Sequence, residues 1–163
     1  MAKTYVPLAT QTLGSAVASV TFSSIPATYT DLVLVYTGVI ASGGEVGLSL
    51  RFNGDSGANY SKTDIVGSGA AATSARDSNY TEANIGLASS TTQANSIFHI
   101  MNYSNATTYK TALGRGNNTG GYVRAGVGLW RSTAAITSIT LIAGGLVNFN
   151  IGSTFTLYGI SCA

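Results

Sequence analysis

Charged side chains are scarce in this sequence. They make up 9% of its 163 residues, whereas a typical globular protein has about a quarter. Because 45% of the residues are hydrophobic, the shortage of charge does not indicate disorder, which combines high net charge with few apolar groups. A net charge of +2 does little to keep copies of the chain apart, so we expect much of its surface to be used in protein contacts.

Cysteine and long apolar runs are also lacking. The single cysteine, Cys162, excludes a disulfide within the chain. No stretch reaches the roughly 18 apolar residues that a membrane helix requires, and the N-terminal segment MAKTYVPLATQTLG has no apolar run of the kind found in signal peptides. The sequence therefore predicts a soluble protein that is made in a cytoplasm and has no membrane partner.

The chain has one histidine, His99, and this limits the serine chemistry it could perform. Residues 51–60 read RFNGDSGANY, and Gly54-Asp55-Ser56-Gly57 matches the core of the nucleophile motif of chymotrypsin-like proteases. A nucleophilic serine needs a base that a third group orients, but His99 follows Ser56 instead of preceding it, and no Asp or Glu follows His99. We interpret Ser56 as a turn hydroxyl, and Asn53-Gly54 predicts a hairpin.

Metal and cofactor motifs are weak. His99 lies in phase with Ile97 and Met101, which favours a partly buried, hydrogen-bonded histidine over a metal ligand. Asn53, Asp55 and Asn59 could offer oxygens to calcium, but their spacing is not that of an EF-hand loop. The glycine pairs in GRG (114–116) and GVG (126–128) lack the context of a phosphate-binding loop. We expect no metal, no cofactor and no catalytic residues.

Charge is unevenly distributed along the chain. Residues 1–98 hold four cations and all six acids, whereas residues 100–163 hold four cations and no acid. The second half could present a basic face to an acidic partner. No basic run with interleaved aromatic residues is present, so we expect no nucleic-acid partner. The candidate contact residues are Arg115, Arg124 and Arg131.

Alternation of apolar and polar residues dominates the chain and predicts an all-β protein. The fold that fits is an antiparallel two-sheet β-sandwich of jelly-roll type with about ten strands, and a closed barrel fits less well. We expect a single domain over residues 1–163, in which residues 1–15 could form an extended N-terminal arm and residues 67–82 a long loop. The predicted strands cover residues 17–22, 31–37, 46–52, 60–66, 83–87, 96–103, 108–113, 122–130, 136–142 and 154–160.

The nine tyrosines and the single Trp130 admit two interpretations. Carbohydrate-binding sandwiches stack sugars on exposed aromatic rings, and protein interfaces also favour tyrosine. A core position for Trp130 is the leading expectation.

Four segments carry a family resemblance that spans nearly the whole chain in order. They are SVTFSSIPATYTDLVLV (19–35), LSLRFNGDSGANYSKT (48–63), LWRSTAAITSITLIAGG (129–145) and NFNIGSTFTLYGI (148–160). Together they resemble a family of small tailed-phage virion proteins that is common in phages of cyanobacteria and other aquatic bacteria. The shared signatures are the SIP-TYTDL entry to a central strand, RFNGD followed by NYS, ITSI and the terminal TLYGI.

The resemblance implies a structural component of the virion rather than an enzyme. Because the sequence has no collagen-like, coiled-coil or tail-anchoring segment, the form that the resemblance implies is a decoration or cement protein on the capsid surface. The implied partners are the major capsid protein and further copies of the chain, as a homotrimer. The alternative is a tail or fibre component that binds host-surface glycan through tyrosines and Trp130.

Overall fold

The computed structural model describes residues 4–161, and their regular structure is almost entirely β-strand. A single short 3₁₀ turn, Gly144–Leu146, follows the eleventh strand. The strands are β1 (Tyr5–Thr12), β2 (Ser19–Phe22), β3 (Asp31–Gly38), β4 (Glu45–Phe52), β5 (Tyr60–Gly67), β6 (Ala72–Tyr80), β7 (Ala83–Ser89), β8 (Ala94–Met101), β9 (Lys110–Asn118), β10 (Val123–Trp130), β11 (Ile139–Ala143) and β12 (Thr154–Ile160).

These strands form two antiparallel sheets, which confirms the predicted sandwich. The larger sheet has the order β1-β12-β3-β8-β9-β10-β5-β6, and the smaller has the order β2-β11-β4-β7. The first four strands alternate between the sheets, while β12 pairs with β1 and β3, and β11 pairs with β2 and β4. This winding of the N-terminal strands around the C-terminal pair has the character of a jelly roll.

The core lies between the sheets because alternate residues of each strand point inward. In β8 every second residue from Ala94 is buried, and in β12 every second residue from Phe155 is buried. Aromatic rings fill much of this space: the Phe155 ring lies 5.2 Å from that of Tyr36 and 5.0 Å from that of Phe149. In these two strands the hydrophobic alternation in the sequence therefore matches the side that is buried.

Each of the ten predicted strands overlaps a strand of the structure. The other two, β1 and β6, are the outermost strands of the larger sheet. The prediction of a long loop over residues 67–82 was wrong, since most of it is β6, paired with β5. Nearly every residue of β6 is exposed, whichever face of the strand it lies on. The strand therefore has no alternation of apolar and polar residues that could be recognised in the sequence. In the region predicted as an arm, β1 pairs with β12.

The predicted hairpin at RFNGDSGANY was also wrong. The chain does turn there, and both Asn53 (φ 52°) and Gly54 (φ 69°) adopt the left-handed conformation that such turns require. However, β4 belongs to the smaller sheet and β5 to the larger. The seven residues between the two strands carry the chain from one sheet to the other, so β4 and β5 are not paired.

Cys162 lies outside the described residues. Within residues 4–161, no helix has the length and apolar character needed to cross a membrane.

Candidate functional site

The inner face of the larger sheet is unusually close to β7 along two central strands. Four inward positions of β9 and β10 are glycines: Gly114, Gly116, Gly126 and Gly128. A Cβ atom at Gly114 would overlap the backbone carbonyl oxygen of Ile85, and one at Gly128 would lie 2.8 Å from the Cβ of Ala83. These glycines therefore allow β7 to pack against the backbone of β9 and β10.

The outer face of β9, β10 and their neighbours β8 and β5 carries aliphatic side chains that are partly or largely exposed. We define the aliphatic patch as Ile65 in β5, Ile97 in β8, Leu113 in β9, and Val123 and Val127 in β10. Ile65 is 60% exposed, and Leu113 and Val127 are each 43% exposed. All except Val123 line a shallow depression of about 510 Å³. The backbone of Gly114 and Gly126 also lines it. Contiguous exposed apolar side chains make this surface the candidate interaction site.

Arg115 lies in the middle of the aliphatic patch. In the sheet register it is directly opposite Ala125 on one side and Ile97 on the other. It is exposed, and within residues 4–161 its guanidinium has neither a hydrogen-bond partner nor an ion-pair partner. The candidate site is thus an aliphatic surface with one accessible, unpaired cation at its centre.

Arg124, on the adjacent strand, points the opposite way. It is 9% exposed, and its Nε donates a hydrogen bond of 2.6 Å to Asp64. Its other nitrogens donate to Asn84 and to the carbonyl oxygen of Gly86 in β7, at 2.7–2.9 Å. Lys62 Nζ lies 3.0 Å from the second carboxylate oxygen of Asp64. The Arg124 guanidinium therefore links the larger sheet to β7 of the smaller sheet in the interior of the sandwich.

The third predicted contact residue, Arg131, is partly buried. Its Nη2 donates to the carbonyl oxygen of Ala58 at 2.6 Å and to Asn79 Oδ1 at 2.9 Å, so it ties the β4–β5 turn to the end of β6. The structure does not bring the three predicted arginines together. Among them, Arg115 alone has a guanidinium with no partner in the described part of the chain.

The residues of the protease-like motif are not joined to a base. Ser56 is exposed in the turn between β4 and β5, as predicted. His99 lies in β8, and its Nε2 is 2.9 Å from Asp31 Oδ2, while Asp31 Oδ1 accepts a hydrogen bond from the Asn102 backbone N–H. In residues 4–161, no serine is hydrogen-bonded to His99. The geometry therefore offers no activated nucleophile at Ser56.

Asp55 organises the turn. Its carboxylate accepts hydrogen bonds from the backbone N–H of Gly57 at 2.8 Å, from the Asn59 side chain at 2.9 Å and from Trp130 Nε1 at 2.7 Å. These bonds, led by the one from Trp130, lower the pKa of Asp55 despite some desolvation. The carboxylate in GDSG therefore has a structural role.

Asn53 connects two of the segments on which the family resemblance rests. Its Oδ1 accepts from the backbone N–H groups of Thr137 and Ser138 at 2.8 and 3.1 Å, and its Nδ2 donates to the Ala135 carbonyl oxygen. RFNGD and ITSI thus meet at one corner of the sandwich. The side-chain oxygens of Asn53 and Asp55 accept hydrogen bonds from N–H donors. Residues 4–161 also contain no cluster of His, Cys, Asp or Glu that could hold a metal.

Trp130 lies in the core, as expected. It is 3% exposed, and its ring stacks on Tyr60 at an interplanar angle of 17° and lies 5.6 Å from the Phe52 ring. Burial raises the pKa of Tyr60 to about 12. Trp130 therefore cannot serve as an exposed platform for a sugar. The exposed tyrosines are Tyr5 in β1, Tyr80 in β6 and Tyr109 in the segment that precedes β9.

Sequence reasoning did not identify the aliphatic patch. In VRAGVGLW, hydrophobicity alone would turn Val123 and Val127 inward and Arg124 outward, and the structure has the reverse. The signal that could have found it is the glycine at alternate positions, which marks a strand face approached by another backbone.

The fold and the site together define an all-β sandwich with an exposed aliphatic patch on the outer face of its larger sheet. No protein-family model matches the chain, and no curated protein matches it. Weakly similar solved structures include an alginate lyase in complex with alginate tetrasaccharide (12% identity, 91% of this chain and 73% of that chain, TM-score 0.32). They also include a galectin from Caenorhabditis elegans (7%, 91% and 94%, TM-score 0.35) and a GH43 protein from Bacillus licheniformis (10%, 87% and 32%, TM-score 0.39).

Proposed function

We propose that this protein is a non-enzymatic structural protein of a bacteriophage virion, and that it decorates the outer surface of the capsid. The resemblance of four segments across the chain supports a place in the virion. The observation that carries the proposal is the aliphatic patch with Arg115 at its centre, because a broad, shallow, apolar surface on a rigid sheet suits protein binding better than catalysis.

In this proposal the major capsid protein is the main partner, and the decoration protein binds as an oligomer, with a trimer expected. A specific contact of ordinary size buries about 1,600 Å², and repetition over a symmetric shell multiplies a modest gain per contact. A sandwich with few charges suits this role, since little unpaired charge has to be buried. Its function is to add buried area across the joints of the shell.

The alternative is a tail or fibre component that binds host-surface glycan. Because Trp130 is buried, glycan binding would have to rely on the exposed tyrosines Tyr5, Tyr80 and Tyr109. These three residues do not belong to one strand or one loop. We therefore rank it second.

Location on the particle tests the proposal directly. We expect immunogold labelling and cryo-electron microscopy of phage particles to place the protein on the capsid surface, and quantitative mass spectrometry to find hundreds of copies per particle. A few to about twenty copies, with label confined to the tail, would favour the alternative. Absence from purified particles would overturn both.

A further inference from the structure

We infer that the aliphatic patch docks an extended protein segment that carries a carboxylate among apolar side chains, and that Arg115 pairs with that carboxylate. This inference rests on the proposed function, because it names the chemistry of the surface that the protein binds. It follows from three properties of the patch: its unpaired cation, its position on the sheet and the absence of Trp, Tyr and Phe from the lining of the depression.

The cation determines the charge of the partner. A segment that covers Ile97, Leu113 and Val127 also covers the guanidinium of Arg115 and removes it from water. A buried cation without a partner is strongly unfavourable, and Arg115 has no acceptor in residues 4–161. The nearby Asp64 is already bonded to Arg124 and Lys62 inside the sandwich. The acceptor must therefore come from the partner, and a carboxylate matches the guanidinium best.

The shape of the patch favours an extended segment. The depression crosses four neighbouring strands, β5, β10, β9 and β8, which span about 14 Å at the usual strand spacing. About four to five residues of extended chain cover that distance at 3.3 Å per residue. Such a segment places alternate side chains against the sheet, so a carboxylate at one position and aliphatic groups two residues away would meet Arg115 and the patch together.

Two other occupants fit less well. A second copy related by a twofold axis through the centre of the patch would bring Arg115 against its own counterpart, which is unfavourable for two cations in an apolar contact. A glycan would need an aromatic platform, and the depression has no Trp, Tyr or Phe among its lining residues. An acidic, apolar protein segment is the occupant that the patch complements.

The test uses two synthetic nine-residue peptides and the full-length protein. In both peptides valine and threonine alternate around a central residue, which is glutamate in one and glutamine in the other, and both ends are capped so that glutamate is the only charge. Binding is followed by the NMR shifts of the Ile65, Leu113 and Val127 methyl groups. We expect the glutamate peptide to bind about tenfold more tightly, the effect of one charge-assisted hydrogen bond.

Variants assign the preference to Arg115. Arg115→Gln should bind the two peptides equally. Arg76→Gln, which removes an exposed cation from the edge strand β6, should keep the tenfold preference. Equal affinities for the unmodified protein, shifts confined to another surface, or no binding at millimolar peptide would each overturn the inference. None of these results would affect the location of the protein on the particle, which is measured independently.

Discussion

Arg115 and Arg124 show how position, and not residue type, determines the role of a cation in this protein. They lie on adjacent strands, yet one points outward into an aliphatic surface and the other inward against Asp64. The parity of each residue along its strand decides the direction. At the residue scale, therefore, the concentration of basic residues in the second half of the chain does not produce a basic face.

Ionisation of Asp55 supports the fold. Its pKa is lowered in the folded state, chiefly by the hydrogen bond from Trp130. The ionised carboxylate therefore stabilises the fold above the pKa of the unfolded chain, about 3.9, and this contribution is lost as the pH falls through the lower folded-state pKa.

We expect Asp55→Asn to lower the free energy of unfolding by about 1 kcal/mol at pH 7, a modest value because the carboxylate is partly solvated. The difference from the unmodified protein should shrink as the pH falls below about 4, where the unfolded chain takes up its proton. Chemical denaturation at a series of pH values measures this. Ser56→Ala, next to it in an exposed position, should leave stability unchanged. A difference that stays constant with pH would show that charge is not involved.

At the scale of the element, the two edge strands and the glycine-rich strands were the hardest to interpret from sequence. Alternation is visible only where one face of a strand is buried, and β1 and β6 are exposed at the margins of the larger sheet. Pro7 and a register shift lie in β1, and both features are typical of edge strands. In β9 and β10 the inner, closely packed face consists largely of glycines. The sequence therefore shows no hydrophobic side chains on the face that is buried.

Gly114→Ala should lower the free energy of unfolding by about 2–3 kcal/mol, because the new methyl group would meet the Ile85 backbone, which cannot move without shifting β7. In a strand without that constraint, alanine would be slightly favoured over glycine. The matched control is Gly14→Ala, since a Cβ there meets nothing within 4 Å. Thermal unfolding of both variants measures the effect. An unchanged midpoint for Gly114→Ala would mean that the sheets do not approach each other as closely as described.

At the scale of the whole molecule, the residues that hold the two sheets together are separate from the surface that we propose for binding. The turn at Asp55 and the Arg124 network lie at the corner and in the interior, and they hold the two sheets together. The aliphatic patch lies on the outer face, on the other side of β9 and β10. A substitution that acts on binding should therefore be distinguishable from one that acts on folding.

We expect Arg115→Gln to lower occupancy on particles at low salt while leaving the unfolding midpoint unchanged. Because salt screens the long-range attraction between Arg115 and an acidic partner before they meet, the deficit should shrink as ionic strength rises. Arg124→Gln should instead lower the free energy of unfolding by about 3 kcal/mol, since it weakens the charge pairing of buried Asp64. Add-back of purified protein to particles that lack it, followed by gel quantification, measures occupancy. Equal occupancy for Arg115→Gln and the unmodified protein would exclude this arginine from the contact.

The sequence by itself determined the fold class, the antiparallel sandwich and the position of ten strands, because these depend on hydrophobic alternation and on turn residues near one another in the chain. It also placed Trp130 in the core and Ser56 in a turn. Only the tertiary structure decided that RFNGDSGANY crosses between sheets, that Arg124 is internal and that Arg115 lies in an aliphatic patch. The reason is physical: pairing and the direction in which a strand faces depend on which distant backbone comes close, and residues such as Ile85 and Gly114 meet only after the sheets have packed.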